Sequence, residues 1–159
     1  MTRACQLLLE TKLFQAHKDG RKIYLTYKES KSNLFEQMKP CLRNPVRKKG
    51  YIFKSELLQK MTKAGMSALS EVSFLSSPVM PIYAIEKSQA KTLSLLEEQL
   101  DSQNQVEIEI WDYDPLTLSG DGKTIDPLSL ATSLLDLQDE RVEMEIEKML
   151  EETVFGSEE

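Results

Sequence analysis

Leu13-Phe14-Gln15-Ala16-His17-Lys18-Asp19-Gly20-Arg21-Lys22-Ile23-Tyr24-Leu25-Thr26-Tyr27 is the stretch that decides how the chain begins to fold. Two alternating arms, Leu13 to Lys18 and Arg21 to Tyr27, flank Asp19-Gly20. An Asp-Gly pair between β-prone arms is the strongest short-range hairpin signal, because the turn needs positive φ and these residues tolerate it. The alternation turns Phe14, Ala16, Ile23 and Leu25 toward a core and crowds Lys18, Arg21 and Lys22 at the tip. Upstream, Thr2 to Thr11 reads as a short helix with Ala4, Leu7 and Leu8 on one face. Downstream, Ser30 or Ser32 caps a helix that presents Leu34, Phe35 and Met38 until Pro40 disturbs it.

Residues 43–49 contain Pro45 among Arg43, Arg47, Lys48 and Lys49, and Gly50 follows. This stretch reads as a basic linker between a region at 1–42 and a second domain at 50–155, with a tail at 156–159. In that second domain, Tyr51 to Phe53 reads as a strand, and Ser55 to Thr62 and Ser67 to Leu75 as short helices around Gly65. Val79 to Ile85 reads as a strand that Pro81 confines to a sheet edge. Ser88 caps a helix to about Leu96. Gln105 to Trp111 alternates Val106, Ile108 and Ile110 with Glu107 and Glu109, the pattern of a strand with one solvated face. Pro127 opens a helix to about Leu137, and Asp139 caps another with an apolar stripe of Val142, Ile146, Met149 and Leu150. The expected class is α+β: a helix and hairpin, then a small mixed domain ending in helices.

With 40% apolar and 29% charged residues in 159, the chain has the chemistry of a folded domain rather than a disordered one. Its longest apolar runs, such as Ala4 to Leu9, are too short to span a bilayer, and Glu10 and Lys12 spoil any signal-peptide reading. A cytoplasmic protein with no membrane partner is expected. Cys5 and Cys41 stand singly, which suits free thiols. The net charge of −6 hides a polarity. Residues 1–50 carry twelve Lys/Arg against four Asp/Glu, and residues 51–159 carry eight against twenty-two. A basic end facing a polyanion and an acidic end facing something else is the implied arrangement.

The first forty residues resemble part of a MarR-type winged-helix domain. Thr2-Arg3-Ala4 and Leu9-Glu10 correspond to the end of its recognition helix. Leu13-Phe14, Asp19-Gly20-Arg21-Lys22 and Tyr24-Leu25-Thr26 follow in the order of strand, wing tip and return strand. That family often has Asp-Arg-Arg at the tip, where Asp19-Gly20-Arg21 stands here. A complete winged helix has two or three helices ahead of the recognition helix, so the resemblance implies a partial unit that binds DNA weakly. The remainder is similar to uncharacterised bacterial winged-helix regulators and AbiEi-type antitoxin-like proteins. Pro40-Cys41-Leu42-Arg43-Asn44-Pro45-Val46-Arg47, Tyr83-Ala84-Ile85, Trp111-Asp112-Tyr113-Asp114-Pro115 and Asp126-Pro127-Leu128-Ser129-Leu130 carry that likeness. The implied function is transcriptional regulation without catalysis, and its alternative a module that binds a protein partner through the acidic half. Leu7, Leu8 and Leu13 need a cover, which the Leu34, Phe35 and Met38 helix or a homodimer contact would supply.

Arg3, Lys18, Arg21 and Lys22, with Arg47, Lys48 and Lys49, are the candidate DNA-binding residues, because cations neutralise phosphates and release counterions. No cofactor and no metal is expected. Gly120-Asp121-Gly122-Lys123-Thr124 ends like a phosphate-binding loop, but Thr117 stands where the signature needs glycine. Asp112, Asp114, Asp121 and Asp126 match no EF-hand spacing. His17, the single histidine, lies in the hairpin beside Lys18 with no nucleophile in reach of the local sequence. Trp111 and Tyr113 read as packing residues.

Overall fold

Helix α1 (Arg3–Glu10) starts where the Thr2 hydroxyl accepts the Cys5 amide, a normal cap, in the computed structural model, which describes residues 1–156. Strands β1 (Gln15–Asp19) and β2 (Lys22–Thr26) pair antiparallel from Gln15↔Thr26 to Asp19↔Lys22. The two loop residues are therefore Gly20 and Arg21, one position beyond the expected Asp19-Gly20. Gly20 takes φ +58° while Arg21 keeps negative φ, the pattern of a type II′ turn, which asks for glycine at its first central position only. Helix α2 (Lys31–Met38) is capped by the Ser30 hydroxyl on the Asn33 amide, and Lys39–Cys41 continues as a 3-10 turn. These elements make up one compact unit, Met1–Leu42. No residue of this unit is buried: Ile23 and Tyr24 are exposed, and Leu25, Leu8, Leu34, Phe35 and Met38 are half-buried. Of the hairpin face expected to enter a core, Phe14 and Leu25 are half-buried and Ala16 and Ile23 are exposed.

The second unit begins at Arg43. Strand β3 (Val46–Phe53) runs through the stretch expected to be a linker. Pro45 lies just ahead of the strand and its carbonyl accepts the Asp112 amide at 2.9 Å, so neither a missing donor nor a fixed φ interrupts the ladder. Gly50 lies inside the strand because the chain 95–96 crosses it closely. A Cβ there would sit 3.2 Å from the Leu96 carbonyl oxygen and 3.3 Å from Leu95 Cβ. A 3-10 turn (Glu56–Lys60) replaces the expected helix, and β4 (Thr62–Lys63) and α3 (Gly65–Leu69) follow. Strand β5 (Ile82–Glu86) and helix α4 (Lys87–Ala90) precede β6 (Gln105–Trp111). Helix α5 (Pro127–Ser133) has Asp126 as its cap and Pro127 in its first turn. Helix α6 (Glu140–Leu150) is capped by Asp139. A π-helical turn (Glu151–Phe155) ends the described chain, and residues 157–159 of the expected tail lie outside it.

The sheet order is β3-β6-β5-β4, with β6 parallel to β5 and antiparallel to β3. Strand β5 is thus interior, a correction to the expected edge: Pro81 precedes it, and the Pro81 carbonyl accepts the Glu107 amide at 2.9 Å. Strand β6 is central and buried on both faces, where one solvated face was expected. On one face Ile52, Ile85, Val106, Ile108 and Ile110 form the core, with Leu58, Met61, Leu93 and Leu95 against it. Register places Glu107, Glu109 and Trp111 on the opposite face with Lys49 and Tyr51 of β3 and Ile82 and Ala84 of β5. Helix α3 packs on β5, and α5 packs against α3 and α6. The expected stripe of α6, Val142, Ile146, Met149 and Leu150, is buried. Burying side chains of this size contributes roughly 1.5–3 kcal/mol each.

Candidate functional site

The two-residue loop leaves Lys18, Arg21 and Lys22 exposed at one end of the hairpin, while Arg3 is exposed at the start of α1. Among the described residues, none of these four cations lies within ion-pair distance of a carboxylate. His17 is exposed and pairs across the hairpin with Tyr24, and the ring of Phe14 meets Tyr27 edge-on at 6.1 Å. Cys5 is half-buried and Cys41 exposed, both as free thiols.

The other three candidates, Arg47, Lys48 and Lys49, sit on β3 in a different environment. Arg47 bonds Asp112, and that hydrogen bond and charge raise its pKa. Lys48 lies 3.4 Å from Glu97. Lys49 lies 2.9 Å from Glu107 and 3.8 Å from Glu109. Burial works against the charge of Lys49, but the hydrogen bond to Glu107 and the attraction of both carboxylates outweigh it and raise its pKa. The structure therefore separates the seven residues into four uncompensated cations in the first unit and three that neutralise acids in the second.

Sequence reasoning missed the centre of that ion cluster. Glu109 is 3% exposed on the central strand, and its Oε2 accepts the indole N–H of the fully buried Trp111 at 3.0 Å. Burial raises the carboxyl pKa above the ordinary glutamate value, with Trp111 and Lys49 pulling it back. Gly65, at φ +51°, leaves the room: a Cβ there would come within 3.2 Å of Glu109 Oε1. The signal in the sequence was Glu109-Ile110-Trp111, since residues two apart on a strand share a face. Trp111 also meets Tyr113 edge-on at 5.7 Å, and the Tyr113 hydroxyl donates to Ser129 at 2.9 Å. A cavity of about 480 Å³ opens beside the cluster, lined by Asn44, Lys49, Met66, Glu107, Glu109 and Asp136 among others. In its lining Asn44 donates to Asp136 at 2.8 Å. Chemically, the cluster sets a buried acid between an indole donor and a lysine.

The remaining motifs do not assemble. Asp121 accepts the Lys123 and Thr124 amides and the Ser119 hydroxyl, which holds its pKa below the usual range and shapes the 119–124 turn. Asp126 caps α5 and Asp112 holds Arg47. Among the described residues, no three His, Cys, Asp or Glu converge as metal ligands, and no helix is long and apolar enough to cross a membrane. Compared with protein-family models, curated proteins and solved structures, the chain matches none.

Proposed function

We propose that the chain is a DNA-associated regulator whose first unit docks on duplex phosphates through the hairpin tip, as the wing of a partial winged helix. One observation carries this reading: Lys18, Arg21 and Lys22 stand exposed at the end of the hairpin that a two-residue loop closes, with no carboxylate within ion-pair distance among the described residues. Arg47, Lys48 and Lys49 are already matched to carboxylates. Unit 1 carries eight Lys/Arg against four Asp/Glu, so its field attracts a polyanion. Arg3 at the start of α1 is a fourth cation for the backbone. Neutralising about four phosphates gives a log–log salt slope of roughly −3 to −4 and affinity in the non-specific range of about 10⁻⁴ to 10⁻⁶ M. Anisotropy of a labelled duplex across a salt series tests this. Arg21→Ala/Lys22→Ala should flatten the slope by about 2. An unchanged slope in that variant, or no binding at low salt, removes the proposal.

A second reading, a protein-interaction or antitoxin-like module, draws on a different feature. Val72, Phe74 and Val79 are exposed apolar side chains in one short segment, Phe74 at 88%. Exposed apolar clusters mark contact surfaces. Absence of duplex binding in the salt series favours this reading.

A further inference from the structure

The geometry points to a phosphate-binding hollow on the second unit that takes a small phosphorylated ligand. Arg47, Lys48, Lys87 and Lys91 converge on one concavity of about 520 Å³, with Asp112 as the single carboxylate in its wall. Four cations meeting in one depression is unexpected in a unit whose residues 43–159 carry twelve Lys/Arg against twenty-two Asp/Glu.

The local structure explains how they meet. Lys87 opens α4 and Lys91 is its C-cap residue, four positions on, so both project from the same side of the turn. The register of β3 shifts between Val46 and Lys48, an irregularity that turns Arg47 out of the regular alternation, so that Arg47 and Lys48 line one hollow. Among the described residues, Lys87 and Lys91 have no ion pair, Lys48 has only the 3.4 Å contact with an exposed Glu97, and Arg47 is already bonded to Asp112, so the two free lysines carry the charge offered to a ligand. The floor is apolar, made by Ile110 of the central strand and Ala90. A charged wall over an apolar floor suits a ligand with a phosphate at one end and a flat or apolar group at the other. The volume lies in the usual range for small-molecule sites, about 300–1,000 Å³.

A mononucleotide-sized phosphate ester fits this site better than a duplex does. Asp112 lines the hollow, Glu86 precedes Lys87 and Glu97 faces Lys48, so carboxylates border it. A compact dianion places its charge inside that border. A duplex runs its phosphates along it and meets repulsion on both sides. This inference is independent of the hairpin reading, because no residue is shared with the tip.

The test uses the full chain with three probes: inorganic pyrophosphate, adenosine monophosphate and a 20-base-pair duplex. Binding is read by amide chemical shifts and by calorimetry. The expected result is saturable one-to-one binding of adenosine monophosphate, with shifts at Lys87 to Lys91 and Ile110. Affinity should fall at least tenfold in Lys87→Ala/Lys91→Ala. Neither lysine holds the fold by an ion pair, so that variant should keep the wild-type melting curve. Pyrophosphate binding with no gain from the nucleoside keeps the phosphate site but removes the role of the apolar floor. No saturation by either small probe at millimolar concentration overturns the proposal. So does small-probe binding that the double variant leaves unchanged. If only the duplex binds, and the double variant weakens it, the hollow is a backbone contact and the small-ligand assignment is wrong.

Discussion

Replacing Gly65 by alanine probes the buried Glu109 from outside its own chemistry. Two costs add. The first is backbone: at φ +51° an L-residue is strained, by about 1 kcal/mol relative to glycine. The second is local: the new methyl lies 3.2 Å from Glu109 Oε1 and 3.4 Å from Ile82 Cδ1. It presses an apolar group onto a carboxylate that has one indole donor and a lysine at 3.8 Å. Overpacking of this kind costs roughly 1–3 kcal/mol. Gly122→Ala supplies the control, because Gly122 has φ +65° but nothing within 4 Å of its Cβ position. It carries the backbone cost alone. Gly65→Ala should therefore lose about 2–4 kcal/mol and Gly122→Ala about 1, corresponding to Tm drops of roughly 4–16 °C and 2–4 °C. Chemical denaturation followed by the fluorescence of Trp111, the single tryptophan, reads both. Equal losses in the two variants would refute the claim that Gly65 is reserved for the Glu109 carboxylate.

A carboxyl whose pKa is raised on folding holds its proton more tightly in the native state, so Glu109 makes stability fall as pH rises above the ordinary glutamate value. Glu109→Gln should remove that fall, and urea midpoints at pH 4.5 and 7.5 measure it. Trp111→Phe takes away the N–H that Glu109 accepts and should cost about 1–3 kcal/mol for that bond alone, with the loss smaller in a Glu109→Gln background. Asp139→Ala removes the acceptor for the Arg141 and Val142 amides and should cost about 0.5–2 kcal/mol in thermal unfolding of the second unit. Ser119→Ala, which deletes one donor to Asp121, should shift the Asp121 titration upward in carboxyl NMR with little change in Tm.

The elements that local chemistry determines were legible in the sequence. Asp139 and Asp126 cap helices because a short carboxylate satisfies free amides wherever it precedes an apolar period. Gly20 made the hairpin visible, and the one-residue shift of its loop reflects a turn that needs positive φ once instead of twice. The failures came from partners distant in the chain. Arg47, Lys48 and Lys49 read as a solvated linker because the acids that hold them lie 49 to 65 positions away. Glu107 and Glu109 read as a wet face because alternation reports polarity and not whether a lysine on the neighbouring strand pairs with them. Gly50 read as a breaker because the Leu95-Leu96 crossing that demands it is nowhere near it in sequence.

The absence of buried side chains from Met1–Leu42 has a kinetic meaning. Backbone amides of β1 and β2 are protected only by a ladder that water can reach from both faces, so they exchange through small local openings. Amides of β6, between two neighbours and under two covered faces, exchange only when the whole sheet comes apart. The chain thus keeps two clocks. In deuterated buffer the hairpin should label in seconds to minutes while the central strand retains its protons for hours. Whatever settles on the hairpin would announce itself first by slowing the faster clock.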